Sequence, residues 1–311
     1  MVTRREFLAT IGSAYAVSGS YVVSGFSRTA DQRAANAGAT MRFGYAAITW
    51  GSALTQAMDD IAAVGFRGIQ LRGEAFAQYG ERPAELRELL QRHQLTFVAL
   101  SSGNLSIDPA REKEELATHA AHARFVHDTG GLFLQVIDER PKGRAIVQDD
   151  YRRLGKLMTE LGKRTADLGV PLVYHHHMNS LGERPEEVDA VLGAADPKHV
   201  RVLFDVAHYQ QGGGDPVAAL RKYKDWIDVV HLKDVRPAPP APPGSTAAAY
   251  QFVELGRGRV DLPGVFAALR DNNFRGWAVV ELDRVPDPGR TAKESAEINK
   301  QYLVEKMHQT I

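Results

Sequence analysis

The sequence predicts an α/β fold, a single-domain (β/α)8 or TIM barrel over residues 41–311, and three observations carry that expectation. Eight short apolar runs follow one another from Met41 onward, amphipathic stretches that suit helices separate them, and no GxGxxG follows the first run. Eight alternations fit a closed barrel better than an open doubly wound sheet. The missing glycine fingerprint weakens the dinucleotide-binding alternative further.

Taken in order, the runs are "RFGYAAI", "GIQL", "TFVAL", "LFLQVI", "PLVYH", "VRVLFD", "IDVVHL" and "WAVVEL", each short, apolar and rich in β-branched or aromatic residues. Such runs suit strands buried on both faces. Between them, "ALTQAMDDIAAVG", "PAELRELLQRH", "EELATHAAHARFVHDTG", "DDYRRLGKLMTELGKRTADLG" and "LPGVFAALRDNN" repeat apolar residues at helical spacing, and several end in Gly as a helix C-terminus prefers. One stretch breaks the pattern. "RPAPPAPPGSTAAAY", Arg236 to Tyr250, is too rich in Pro for helix or strand and follows the seventh run, which places it at the mouth of a barrel as a lid or a stiff connector.

Composition excludes several function classes. Lys plus Arg and Asp plus Glu number 38 each, so the broad positive field that nucleic-acid binding needs is absent. With no cysteine, thiolate catalysis and iron–sulfur clusters are ruled out, and a metal would be held by nitrogen and oxygen ligands. No run from residue 41 on reaches the ~18 apolar residues of a membrane span.

In a barrel of this kind the active site lies at the C-terminal strand ends, so the first polar residue after each apolar run is the informative one. The last four runs agree: "LVY" leads to His175, "VLF" to Asp205, "DVV" to His231 and "AVV" to Glu281. Two imidazoles and two carboxylates suit a divalent ion such as Mn, Co, Fe or Zn. Taken singly each has a plainer role: Asp205 as a helix cap, His231 as a core histidine, Glu281 as the partner of an arginine. In "YHHHM", His175 and His177 share strand parity and face the interior, whereas His176 points to the helical layer.

"AAITWG", "LVYHHHMNS", "VLFDVAHYQQGGGDP", "VVHLKDVRP", "FVELGRGRVDLPGVFAAL" and "GWAVVELD" together resemble the sugar phosphate isomerase/epimerase superfamily of xylose-isomerase-like barrels, nearest its inosose dehydratase subgroup. The resemblance runs from about Met41 to Asp283 and is densest after Pro171. It implies metal ligands at Asp205, His231 and Glu281, a substrate-facing histidine at His208, and a functional lysine at Lys233. Two departures stand out: His175 and Gln70 occupy positions where members of the superfamily carry glutamate.

A reversible epimerase benefits from a carboxylate on each face of its substrate. With His175 in place of one of them, loss of water beside a ketone fits better, because it needs one base, a metal to stabilise the enediolate and an acid for the leaving hydroxide. Glu281 then serves as ligand and base, with His177, His208 or Lys233 as acid; a nearby metal would lower the Lys233 pKa, and a structural salt bridge is its plainer role. The expected substrate is a small carbohydrate or polyol bearing a ketone, such as inosose or a 3-keto-glycoside. Trp50, Phe76, Tyr79, Tyr209 and Phe252 are candidates for apolar walls against its ring. A sugar epimerase or isomerase and a non-catalytic sugar- or metal-binding barrel are the alternatives.

Residues 1–40 read as a twin-arginine export signal and linker: Arg4 and Arg5 precede a weakly apolar stretch and then the small residues of "SRTADQRAANAGA". That reading places the barrel in the periplasm. Changing Arg4 and Arg5 together to Lys is expected to leave folded precursor in the cytoplasm, since the machinery reads the arginine pair and not the charge; cell fractionation showing undiminished periplasmic protein would contradict it.

Overall fold

The computed structural model describes residues 41–239 and 249–311; the expected export signal lies outside them. All eight expected strands form, as β1 (Arg42–Ala46), β2 (Gly68–Arg72), β3 (Thr96–Leu105), β4 (Phe133–Asp138), β5 (Leu172–His175), β6 (Val200–Asp205), β7 (Ile227–Leu232) and, after two shorter strands β8 (Asp234–Pro237) and β9 (Tyr250–Val253), β10 (Trp277–Val280). Parallel pairing in the order β1-β10-β7-β6-β5-β4-β3-β2 closes a barrel. Helices flank it, and Gly65 and Gly130, with φ of 107° and 78°, close two of them in the left-handed conformation that a Cβ disfavours.

The Pro-rich stretch differs from expectation at both ends. Asp234–Pro237 and Tyr250–Val253 pair antiparallel, Val235 opposite Phe252, so a short hairpin rises from the strand-end face after β7. Pro237 lies opposite Tyr250, and the Ala238 N–H donates to the Ala249 carbonyl at 3.0 Å. Residues 240–248, the body of the expected lid, lie outside the described residues. The hairpin base is fixed by Asp234, whose carboxylate accepts from the backbone N–H groups of Val235, Gly256, Gly258 and Val260 at 2.8–3.1 Å.

Strand parity sorts the barrel interior into layers. Val173, Leu203, Val229 and Val279 join Ala46, Val98, Ala99 and Trp277 in a buried apolar plug. Two residues further along the same strands come His175, Asp205, His231 and Glu281, all buried. The larger apolar cluster lies between sheet and helices. No helix among the described residues is long and apolar enough to cross a membrane.

Trp277 sits in the plug because β2 has no side chain at Gly68: a Cβ there would meet the indole and the Val98 methyl. Gly68→Ala is therefore expected to overpack the barrel floor and cost about 1–3 kcal/mol, read as a lower urea midpoint with an unchanged m-value. A midpoint equal to wild type would show that the floor yields freely.

Candidate active site

The polar layer is built around Asp205, the last residue of β6. Its Oδ1 caps the helix Val206–Gln211, accepting from the N–H groups of Ala207 (2.9 Å) and His208 (2.8 Å). Its Oδ2 faces His231 Nδ1 at 3.3 Å, His175 Nε2 at 3.6 Å and His208 Nε2 at 3.9 Å. The cap and the site thus use different oxygens of one carboxylate. Glu281 completes the other side: its Oε2 lies 3.5 Å from His231 Nδ1, and its Oε1 accepts from Lys233 Nζ at 2.9 Å.

Lys233 makes the salt bridge that was its plainer role. Burial would lower its pKa, but the charges of Glu281, Asp283 and Asp205 outweigh that and raise it, so in the protein alone the ammonium is held charged. It donates to Glu281 and, at 2.5 Å, to Asp283, sits 3.2 Å from His208 Nε2, and lies 4.1 Å over the Phe252 ring. The same surroundings act on the carboxylates. Burial opposes ionisation of Asp205, yet the His208 imidazole, the Lys233 charge and the nearby His175 and His231 rings hold it well below the usual range. Glu281, despite burial, is brought to about 2 by His231, Lys233 and His175.

The three consecutive histidines diverge as their parity dictates. His175 points inward. His176 turns outward against Phe204 and Tyr209, where its Nε2 accepts the Asp205 N–H at 3.3 Å. His177 reaches the cavity, with its ring 3.8 Å from that of His208. The loop that carries it is fixed by Asp138 at the end of β4, which accepts from Tyr174 Oη at 2.6 Å and from the N–H groups of Leu181 and Gly182.

A cavity of about 460 Å³ opens over this layer, lined by Gln70, Ser101, Asn104, Gln135, His175, His177, Glu281 and Asp283 among others. That volume suits a small ligand. Of the five aromatics named from sequence, only Phe252 touches the site, through Lys233 and the edge of His208 at 5.1 Å. Trp50 instead donates to Asp60, Phe76 packs on His122 and Phe125, Tyr79 lies under Arg82, and Tyr209 is in the helical layer. Sequence reasoning missed Gln135: it hides inside "LFLQVI", where a polar residue at inward parity was its only signal.

Among the described residues, two sets of side chains have donor atoms close enough to share one metal ion, His175 with Asp205 and His208, and Asp205 with His231 and Glu281. The site's chemistry fits such a group. His175 Nε2 is buried without a hydrogen-bond partner, and Asp205, Glu281 and Asp283 set three carboxylates against the single ammonium of Lys233, leaving the charge that a divalent ion balances.

A closed (β/α)8 barrel with mixed imidazole and carboxylate groups at its strand ends defines a class of small-molecule barrels in which a metal site is common. Within it, the chain belongs to the xylose isomerase-like TIM barrel family, whose model matches residues 58–302. It is similar to the inosose dehydratase of Lacticaseibacillus casei, with 27% identity over 280 residues that cover 79% of this chain and 91% of the relative. Among solved structures it is similar to the IolI protein with a bound zinc atom (TM-score 0.71, 19% identity, 87% of this chain and all of that one). It also resembles the 3-keto-D-glucoside 4-epimerase YcjR of E. coli (TM-score 0.65, 18% identity, 84% of this chain and all of that one).

Burial also makes the protein acid-sensitive. It lowers His175 to about 4, His176 to about 3 and His119, beneath β3, to about 4, so all three are neutral at pH 7. Between those values and the ordinary ~6.5 the unfolded chain binds more protons, so stability is lost as pH falls through that window. Glu281 adds to the loss only below the ordinary carboxylate range, down to about 2. Urea midpoints of the metal-free protein are expected to fall steadily from about pH 6.5 to about pH 4, less steeply in His119→Asn; a flat profile would mean that these imidazoles take protons without unfolding.

Proposed function

We propose that the protein is a divalent-metal-dependent lyase that removes water from a keto-polyol or keto-sugar of the inosose type, in the periplasm. One observation carries this reading: in the buried layer β2, β4 and β5 present Gln70, Gln135 and His175 to the cavity, and the carboxylate lining that side, Glu74, is half-exposed and paired with Arg72 at 3.3 Å, while Glu281 and Lys233 stand together in the buried layer on the side of β7 and β10. A base on one side favours elimination, whereas epimerisation calls for a second on the other. The inosose dehydratase relatives support the same substrate class.

In this reading Asp205, His231 and Glu281 would hold the ion, with His175 beside them, and zinc, which IolI carries, is a candidate alongside Mn, Co and Fe. When bound, the ion supplies Lewis-acid stabilisation of the negative charge that develops on the substrate's carbonyl oxygen. Glu281 takes the proton from the carbon beside the ketone, and that C–H pair becomes the new C=C bond. The Lys233 ammonium, charged and already oriented by Glu281 and Asp283, donates to the same developing oxyanion. His177, which lines the cavity and stacks on His208, delivers the proton with which the β-hydroxyl leaves as water, whereas His208, which burial and the Lys233 charge hold neutral, positions it. The product is an enone that is the enol form of a diketone.

The test combines substrate and metal. With an inosose and zinc or manganese, wild type should form a product absorbing in the ultraviolet, and Glu281→Gln, which keeps the shape but accepts no proton, should be slower by about 10²-fold or more. Asp205→Ala and His231→Ala should lose metal with the barrel intact, since the apolar plug lies beneath them. In deuterated water, an epimer that carries solvent deuterium with no water lost would establish the epimerase reading in its place.

A further inference from the structure

Gln70 and Gln135 belong to neither set of metal-binding groups, yet they are almost fully buried, 2% and 1% exposed, at the heart of the polar layer. They form the middle of an unbroken chain. His231 Nε2 lies 2.8 Å from Gln70 Oε1, Gln70 Nε2 lies 2.9 Å from Gln135 Oε1, and Gln135 Nε2 lies 2.8 Å from His175 Nδ1. The chain joins the outer nitrogens of the two imidazoles whose inner nitrogens, His231 Nδ1 and His175 Nε2, face Asp205.

Each link needs one donor and one acceptor. A primary amide offers a carbonyl oxygen on one side and an NH2 on the other, so it passes the direction of the chain on without change. If His231 donates at Nε2, His175 must accept at Nδ1. If the chain runs the other way, His175 donates at Nδ1 and His231 accepts at Nε2. A neutral imidazole has a single N–H, so the first direction leaves His231 Nδ1 with a free lone pair and puts the proton of His175 on Nε2; the second does the reverse. Only one of the two inner nitrogens can offer a lone pair at a time.

We propose that Gln70 and Gln135 are positioning residues that act as a tautomer relay, which makes His231 the single imidazole ligand of the metal and holds His175 as an Nε2–H donor toward the substrate side. The direction in the structure, with Gln70 Oε1 toward His231, leaves His231 Nδ1 a lone pair that an ion would take up; without an ion the same nitrogen keeps its 3.3 Å contact with the Asp205 carboxylate only as an N–H, which reverses the chain. That nitrogen has two carboxylates near it, Asp205 and Glu281, whereas His175 Nε2 has only Asp205. The inference rests on the metal reading for which nitrogen meets the ion, but the coupling of the two tautomers does not. It also explains an amide at position 70: a glutamate there accepts on both sides and would break the relay.

The experiment is long-range 1H–15N NMR of the histidine rings, assigned by the signals lost in His175→Gln and His231→Gln, with and without zinc. In wild type the two rings are expected to share one tautomer in both samples, and in the zinc-loaded sample both should carry the proton on Nε2 with His231 Nδ1 shifted by coordination. Gln135→Glu, which can only accept, should split the pair, leaving His231 as Nε2–H and turning His175 to Nδ1–H. Opposite tautomers in wild type, or an unchanged His175 in zinc-loaded Gln135→Glu, would overturn the relay. Where a buried carboxylate prevents folding, Gln135→Met cuts the chain without a charge, and a His175 signal identical to wild type would overturn it equally. Matched tautomers in a protein that takes up no zinc would uphold the relay and count against the metal reading instead.

Discussion

A carboxylate with no access to water governs this molecule. Asp205 is fully buried, and an isolated charge there would cost several kcal/mol. It survives because two backbone N–H groups of the following helix bind one oxygen while imidazoles converge on the other. The helix start is thereby fixed to the end of β6, and with it His208, one turn further on. Removal of the helix geometry would leave the site without its central anion, and removal of the anion would leave the helix without its cap.

Around that anion the remaining charges are arranged by topology more than by local sequence. Lys233 lies about 50 residues from Glu281 and Asp283, and barrel closure through the pairing of β7 with β10 brings them together. The ammonium cannot leave its carboxylates without exposing two charges to a low-dielectric interior, so it is held in one place before any substrate arrives. Such preorganisation is what electrostatic stabilisation of a developing oxyanion requires. The hairpin of β8 and β9 adds Phe252 over the same ammonium, which closes the ion pairs from the solvent side.

What the sequence reveals follows the reach of its patterns. The eight strands are legible because each is an apolar run between helical stretches, and the terminal polar residue of a run is legible as a strand end. That rule leads to His175, Asp205, His231 and Glu281, which the structure brings within one layer. The same rule hides Gln135, which stands inside its run, and it gives no view of the partners of Lys233, because Glu281 and Asp283 follow a strand distant in sequence. Aromatic residues near strand ends are poorly placed by parity once the strand has ended. Trp50 follows β1 in a 3-10 turn and is drawn outward to Asp60. The hairpin ends of the Pro-rich stretch were hidden because composition was averaged over "RPAPPAPPGSTAAAY", although the residues that pair lie at and beyond its two edges.

A polar layer of this size can exist because stability is supplied elsewhere. Beneath it, Trp277 fills the space left by Gly68 and makes the floor dry and rigid, and around it the helices bury the larger apolar cluster. The strands that carry both layers are the same strands, so a side chain two residues above the plug inherits its position from a packed core instead of from a mobile loop. The groups on loops show the contrast: His177 needs the clamp of Asp138 on the backbone of Leu181 and Gly182 to hold its place, whereas His175, on β5 itself, needs none. The division assigns the ion and the fixed charges to strand ends, and leaves to the clamped loop and the hairpin the parts of the cavity wall in which substrates of one chemistry can differ.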